Sequence, residues 1–124
     1  MSRGLGDVYK RQPKDSEQNK NIRSKAIKDA TLYAAQIPLN IMVESYNSYE
    51  IIEFLAKEGN QNSLSDSGVA CLCVHTAIHG AYLNVRINLK DATGGEDIMK
   101  KADKILKDSH SKKEKIMKLV EDKL

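Results

Sequence analysis

Residues 59–90 read GNQNSLSDSGVACLCVHTAIHGAYLNVRINLK, and the fold is decided there. The stretch opens on a polar loop, Gly59 to Ser65, of the Asn, Ser and Gly residues that turn and cap chains. Ser65-Asp66-Ser67 then offers helix N-cap chemistry, with an acid where the helix dipole is positive. From Val69 to Leu89 there is no proline and hardly any charge, and apolar or small residues occupy nearly every face. A helix apolar all round predicts a buried central post, about 30 Å long at ~1.5 Å per residue. Gly68, Ala70, Ala77, Gly80 and Ala81 are small, so close approach of neighbouring helices is expected along it, at Gly80 in particular. Near its end Asn84, Arg86 and Asn88 interrupt the apolar run, and polar groups so placed require partners. An Arg fork suits a carboxylate.

Upstream, Ile22, Ala26, Ile27, Ala30, Tyr33 and Ala34 recur at helical spacing among lysines, predicting an amphipathic helix over about 16–36 with a cap at Asp15/Gln18. Pro38 removes a backbone donor and disfavours helical geometry at Ile37, so a kink or break is expected there. A second helix is predicted from Leu39 to Glu58, stopped by Gly59. Tyr46 and Tyr49 read as core-edge tyrosines with wet hydroxyls, or as a stacking surface for an aromatic ligand. After a turn at 91–95, the tail from Glu96 to Leu124 carries two apolar stripes and i,i+4 acid–lysine pairs: Asp97/Lys101, Asp103/Lys107, Asp108/Lys112 and Glu114/Lys118. Ser109-His110-Ser111, with Glu114 completing a fresh capping box, predicts a kink. There is no β-alternation and no repeat. The fold class is all-α, a multihelical bundle around a buried central helix.

The chain has 124 residues, enough for one domain with a modest core. Its first twelve, MSRGLGDVYKRQ, show no periodicity. Asp7 to Gln12 resembles the translation of a sequencing adapter, so residues 1–12 read as a non-native or disordered leader and 13–124 as the domain, incomplete at its N-terminus. The leader holds Arg3, Lys10 and Arg11 against Asp7, and accounts for most of the formal +3 charge. The remaining lysines are matched by acids, which argues against a nucleic-acid partner. No apolar run is read as approaching a membrane span, and no signal peptide is read at the N-terminus. A cytoplasmic protein without membrane contact is the expectation.

Cys71, His75 and His79 share one helical stripe, a possible zinc arrangement. No carboxylate completes it and the HExxH form is absent, so the two cysteines read as buried thiols and no metal is expected.

GNQNSLSDSGVA followed by GAYLNVRINLK resembles the formiminotetrahydrofolate cyclodeaminase and methenyltetrahydrofolate cyclohydrolase family, whose pattern reads roughly GNPNSxSDxGVA…GAxLNVRINL. The segment from Pro13 to Leu39 is similar to that family's preceding helix. The resemblance implies the C-terminal part of a cyclodeaminase domain acting in folate one-carbon metabolism. The substrate would be a tetrahydrofolate derivative, handled without metal by a homo-oligomer such as a homodimer. The implied reaction releases ammonia from 5-formimidoyltetrahydrofolate to give 5,10-methenyltetrahydrofolate, or hydrolyses the latter. Asn62, Ser65, Asp66, Arg86 and Asn88 are the candidate substrate-binding residues. The family's catalytic Asp is expected upstream of Pro13, where no matching acid stands, so this chain alone is expected to be inactive. Asp66 and Arg86 also admit a purely structural reading, as a first-turn acid and as its partner or a helix-end cation. The competing class is a non-catalytic helical assembly module.

Overall fold

The computed structural model describes residues 16–124; the leader, Pro13-Lys14 and Asp15 lie outside the described residues. Four α-helices follow one another: α1 (Glu17–Asn47), α2 (Tyr49–Glu58), α3 (Leu64–Leu89) and α4 (Glu96–Lys123), with a short 3-10 turn at Gln61–Ser63 before α3. Among the described residues there is no strand, and the all-α expectation holds.

Helix α3 is the post on which the others pack, with α1 and α4 making the broadest contacts. α4 runs antiparallel to it, as three cross-helix bonds show: Cys71 Sγ to the Lys113 carbonyl (3.9 Å), His75 Nδ1 with Ser109 Oγ (2.9 Å), and Tyr82 Oη to Asp103 Oδ1 (2.7 Å). Close packing on α4 occurs at Gly68, where an added Cβ would stand 3.2 Å from Val120 Cγ1. Gly80 is different. An added Cβ there meets nothing within 4 Å among the described residues, which supply no close contact at this position.

Burial of α3 is one-sided. Cys71, Ile78, Ala81 and Val85 are in the core, whereas Val69 is 60% exposed, Leu72 46%, Leu83 53% and Ile87 48%. A helix apolar all round is buried only where neighbours cover it, and here three neighbouring helices cover one side. The same composition overturns the reading that no run approaches a membrane span. Gln61–Leu89 is long and apolar enough by length and composition alone, because its internal polar residues are mostly uncharged. One such helix is what a soluble core helix also looks like.

Pro38 does not break α1. The helix runs unbroken for 31 residues through it, and the chain interrupts instead at Ser48. Pro38 cannot donate to the Ala34 carbonyl, and Asn88 Nδ2 of α3 reaches that oxygen at 3.5 Å. Tertiary packing supplies what the local sequence withholds: Ala34, Ala35, Pro38, Leu39 and Met42 form one buried face. At the start of α1 the Ser16 side chain caps, accepting from Asn19 N at 3.0 Å; the cap expected at Asp15 lies outside the described residues.

The predicted kink in the tail is also absent, since α4 is continuous over 28 residues. Ser109, expected at a kink, is fully buried mid-helix. The ion pairs of α4 differ from those read off the spacing. Lys104–Asp108 and Lys118–Asp122 form along the helix, while Asp103 accepts from Tyr82 and Lys112 crosses to Glu53. The two exposed pairs along the helix contribute little each.

Candidate functional site

The loop before α3 is built by its own polar side chains and by the far end of the chain. Asn60 Oδ1 accepts from Asn62 N at 2.9 Å, shaping the 3-10 turn. Gln61 Nε2 donates to the Lys123 carbonyl at 3.0 Å, and Lys123 Nζ donates to the carbonyls of Ala56 and Lys57, each at 2.9 Å, closing the C-terminus of α2. Gly59 is required here, because a Cβ would collide with the Leu55 carbonyl oxygen. Helix α3 then begins at Leu64, one residue before the predicted cap. Ser63 occupies the N-cap position without a side-chain bond, so Ser65 and Asp66 stand in the first turn and Ser67 is buried.

Asn62, Ser65 and Asp66 are all exposed and lie together at this end. Arg86 and Asn88 lie at the other end of α3. Twenty residues separate Asp66 from Arg86, about 30 Å at ~1.5 Å per residue. Within one chain the five candidates therefore form two groups, and Arg86 is not the partner of Asp66. Arg86 is exposed, with its guanidinium 5.8 Å from the Tyr82 ring centroid. Asn88 is half-buried and donates one amide N–H to the Ala34 carbonyl.

A second polar constellation lies inside the bundle, and spacing arguments missed it. Tyr49 Oη and Ser109 Oγ are 2.7 Å apart, and Ser109 Oγ also meets His75 Nδ1. Tyr49 is 1% exposed, so its hydroxyl is not wet as expected. Burial pushes its pKa above the usual phenol value, partly offset by the Ser109 bond. His75 is held below the usual imidazole range, first by desolvation and then by Lys113, His110 and His79 nearby. Its ring lies 5.7 Å from that of His110 and 6.2 Å from that of His79. A signal for Ser109 did exist. It falls seven residues after Ala102 and seven before Ile116, both core positions of α4.

Cys71 is buried, as read, and burial raises its thiol pKa; Cys73 is exposed, contrary to that reading. Among the described residues no group of three or more His, Cys, Asp or Glu could hold a metal ion. An open groove of about 760 Å³ runs between α2 and α4, lined among others by Tyr46, Glu50, Glu53, Phe54 and Lys112. Tyr46 packs edge-on against Tyr49 at 5.4 Å there. Glu53 in the groove is bound by Lys115 (2.9 Å), Lys112 (3.0 Å) and Lys57 (3.3 Å), which lower its pKa to about 2. None of the five predicted residues lines this groove.

Fold and polar groups together describe an all-helical bundle with exposed polar side chains at both ends of one long helix. Residues 7–108 match the model of the formiminotransferase-cyclodeaminase family, and the chain belongs to that family. It is 30% identical over 115 residues to the methenyltetrahydrofolate cyclohydrolase of Methylorubrum extorquens, an alignment covering 90% of this chain and 55% of that relative. It is 34% identical over 88 residues to the formimidoyltransferase-cyclodeaminase of Rattus norvegicus, covering 71% of this chain and 16% of the relative. With the Dictyostelium discoideum protein of the same name it shares 36% over 104 residues, covering 82% and 19%. The chain thus spans about half the length of the cyclohydrolase and under a fifth of the bifunctional relatives.

Proposed function

We propose that this chain is the folate-binding C-terminal part of a cyclodeaminase/cyclohydrolase domain in one-carbon metabolism. The intact parent converts 5-formimidoyltetrahydrofolate to 5,10-methenyltetrahydrofolate and ammonia, or hydrolyses the methenyl bridge. Residues 13–124 carry the function, in the cytoplasm and as a homo-oligomer. The observation that carries this reading is the family match, which runs through both the Asn62–Asp66 loop and the Arg86–Asn88 segment. Arg86, exposed and unengaged by any carboxylate in the ion pairs of the described residues, suits the glutamate carboxylates of a folate. Asn62 and Ser65 offer hydrogen bonds, and Asp66 offers a carboxyl, at the opposite end.

Proton delivery to a departing amine needs an acid within hydrogen-bond reach, and such groups are typically worth about 10²–10⁴-fold. Asp66 and Arg86 sit too far apart on one chain to grip and protonate one substrate together. Turnover by the chain alone is therefore near background, while folate binding persists. The test is titration calorimetry with tetrahydrofolate, paired with the absorbance of methenyltetrahydrofolate formed from 5-formimidoyltetrahydrofolate. Binding that weakens in both Asp66→Asn and Arg86→Ala supports the reading. Absence of any folate binding overturns it and leaves the assembly-module class.

A further inference from the structure

The seam between α3 and α4 carries three imidazoles in a row. The His75 ring lies 5.7 Å from that of His110 and 6.2 Å from that of His79, and the Tyr82 ring stands 6.2 Å beyond His79. His79 and His110 are exposed, whereas His75 is half-buried and turns Nδ1 inward to Ser109 Oγ at 2.9 Å. Behind it Ser109 Oγ meets Tyr49 Oη at 2.7 Å, and both of these residues are in the core. The chain Tyr49–Ser109–His75 thus runs from α2 through α4 to α3 and pins the three helices at one level.

This chain suits a neutral imidazole. Neutral His75 can accept at Nδ1 from the Ser109 hydroxyl, which in turn accepts from Tyr49, so every proton has an acceptor. An imidazolium has no acceptor nitrogen. Its Nδ1–H must donate to Ser109 Oγ, and the Ser109 proton must then leave the chain for another acceptor, a costly change in a buried site. The surroundings act in the same direction. Burial disfavours a positive charge on His75 most, followed by Lys113 and His110 on α4 and His79 on α3, and Glu114 on α4 is the acid that opposes them. From α2 the chain is met by the Tyr49 phenol, and from α3 the Cys71 thiol stands one turn away, both kept neutral by burial.

We propose that the imidazole row is an acid-sensitive clasp: as protons load His79, His110 and then His75, the middle of α4 lifts from α3 while the helices themselves persist. The lift uncovers Cys71. That residue is 0% exposed and its Sγ meets the Lys113 carbonyl of α4 at 3.9 Å, whereas Cys73 is exposed with the clasp closed. Opening is favoured as pH falls through the ordinary imidazole range, because His75 binds protons more tightly once released. The clasp does not rest on the folate reading.

The two cysteines report its state. Dithiodipyridine, a disulfide reagent active in acid, is added at about pH 7.5 and at about pH 5.5, either side of the ordinary imidazole value. One thiol is expected to react fast at both, and to be missing in Cys73→Ser. Acid removes thiolate from both cysteines, so the ratio of the Cys71 rate to the Cys73 rate isolates access. That ratio is expected to rise on acidification while the far-UV helical signal holds. His75→Gln, which can still bond Ser109 but takes up no proton, is expected to abolish the rise. The His79→Gln/His110→Gln chain, altered only at exposed positions, is expected to blunt it. A constant ratio in wild type, or a rise that tracks loss of helical signal, would overturn the clasp. So would a rise undiminished in folded His75→Gln or in the double variant, and the double variant decides alone should His75→Gln not fold.

Discussion

Asn88 donates its side-chain amide to the carbonyl of Ala34, the oxygen that Pro38 deprives of its helical donor. A residue read as a ligand contact thus has a structural task, mending a proline gap in the neighbouring helix. The bond occupies one amide N–H and leaves the other and the carbonyl oxygen, and Asn88 is the one candidate of the five that is not exposed, which makes it the weakest for ligand contact.

Asn88→Ala should lower stability by about 1 kcal/mol, the usual worth of such a bond. The same change in a Pro38→Ala background should cost measurably less, because an alanine at that position has a backbone N–H to donate to Ala34. Urea melts of the four proteins give the coupling directly. Equal costs in both backgrounds would show that the long bond carries no weight.

Ser109→Ala should destabilise by about 1–3 kcal/mol, because it strips a partner from the buried Tyr49 hydroxyl and from His75 together. Ser111→Ala, two residues on and exposed, should change little. Thermal melts of both variants at neutral pH would show the contrast, and similar effects would mean the buried network is energetically idle.

Acid stability should respond to two groups. Glu53, lowered from 4.5 to about 2 by Lys115, Lys112 and Lys57, contributes stability that is complete above pH 4.5 and lost as pH falls through about 2. His75 is depressed below 6.5, so its unfolded form takes up protons first and stability begins to fall below pH 6.5. Glu53→Gln should cost about 1–2 kcal/mol at neutral pH, a figure discounted for the exposed lysines, and flatten the limb between pH 4.5 and 2. Denaturant midpoints measured across that range check the shape. An unchanged acid limb in Glu53→Gln would assign it to other carboxylates.

Glycines should sort by surroundings. Gly80→Ala, with nothing among the described residues near the new methyl group, should stabilise the chain by up to about 1 kcal/mol through helix propensity. Gly94→Ala should destabilise, since Gly94 has φ +84° and its added carbon would meet Lys28 Cε at 2.9 Å. Melts at high dilution separate the two, and a destabilised Gly80→Ala would mean the helix is crowded there after all.

Much of this fold was legible in sequence because helical periodicity is a local property. The stop at Gly59, the turn at 91–95 and the length of α3 could all be read that way. The failures share one cause. Pro38 and Ser109 both read locally as interruptions, yet each lies on a packed face where burial of its neighbours outweighs the local preference. Gly80 failed in the other direction, since a small residue invites a neighbour without supplying one. The candidate residues could be named from motif spacing, but their separation along α3 emerged only once the helix was seen to be unbroken. The Tyr49–Ser109–His75 network joins residues 34 and 60 positions apart, a relation no local window contains.

Lys123 closes the end of α2 across 67 and 66 residues of chain, and Gln61 returns the contact. This has a consequence in time. Helices form from neighbours in sequence, whereas a joint between positions so distant waits until the intervening segments have met. The Gly59–Ser63 turn, with Asn62 on it, is therefore expected to take its final shape late, after α4 has docked. Removing that amine with Lys123→Ala should speed amide exchange in the turn while leaving the middle of α3 as slow as before, and unchanged protection of the turn would show that the distant joint does not hold it.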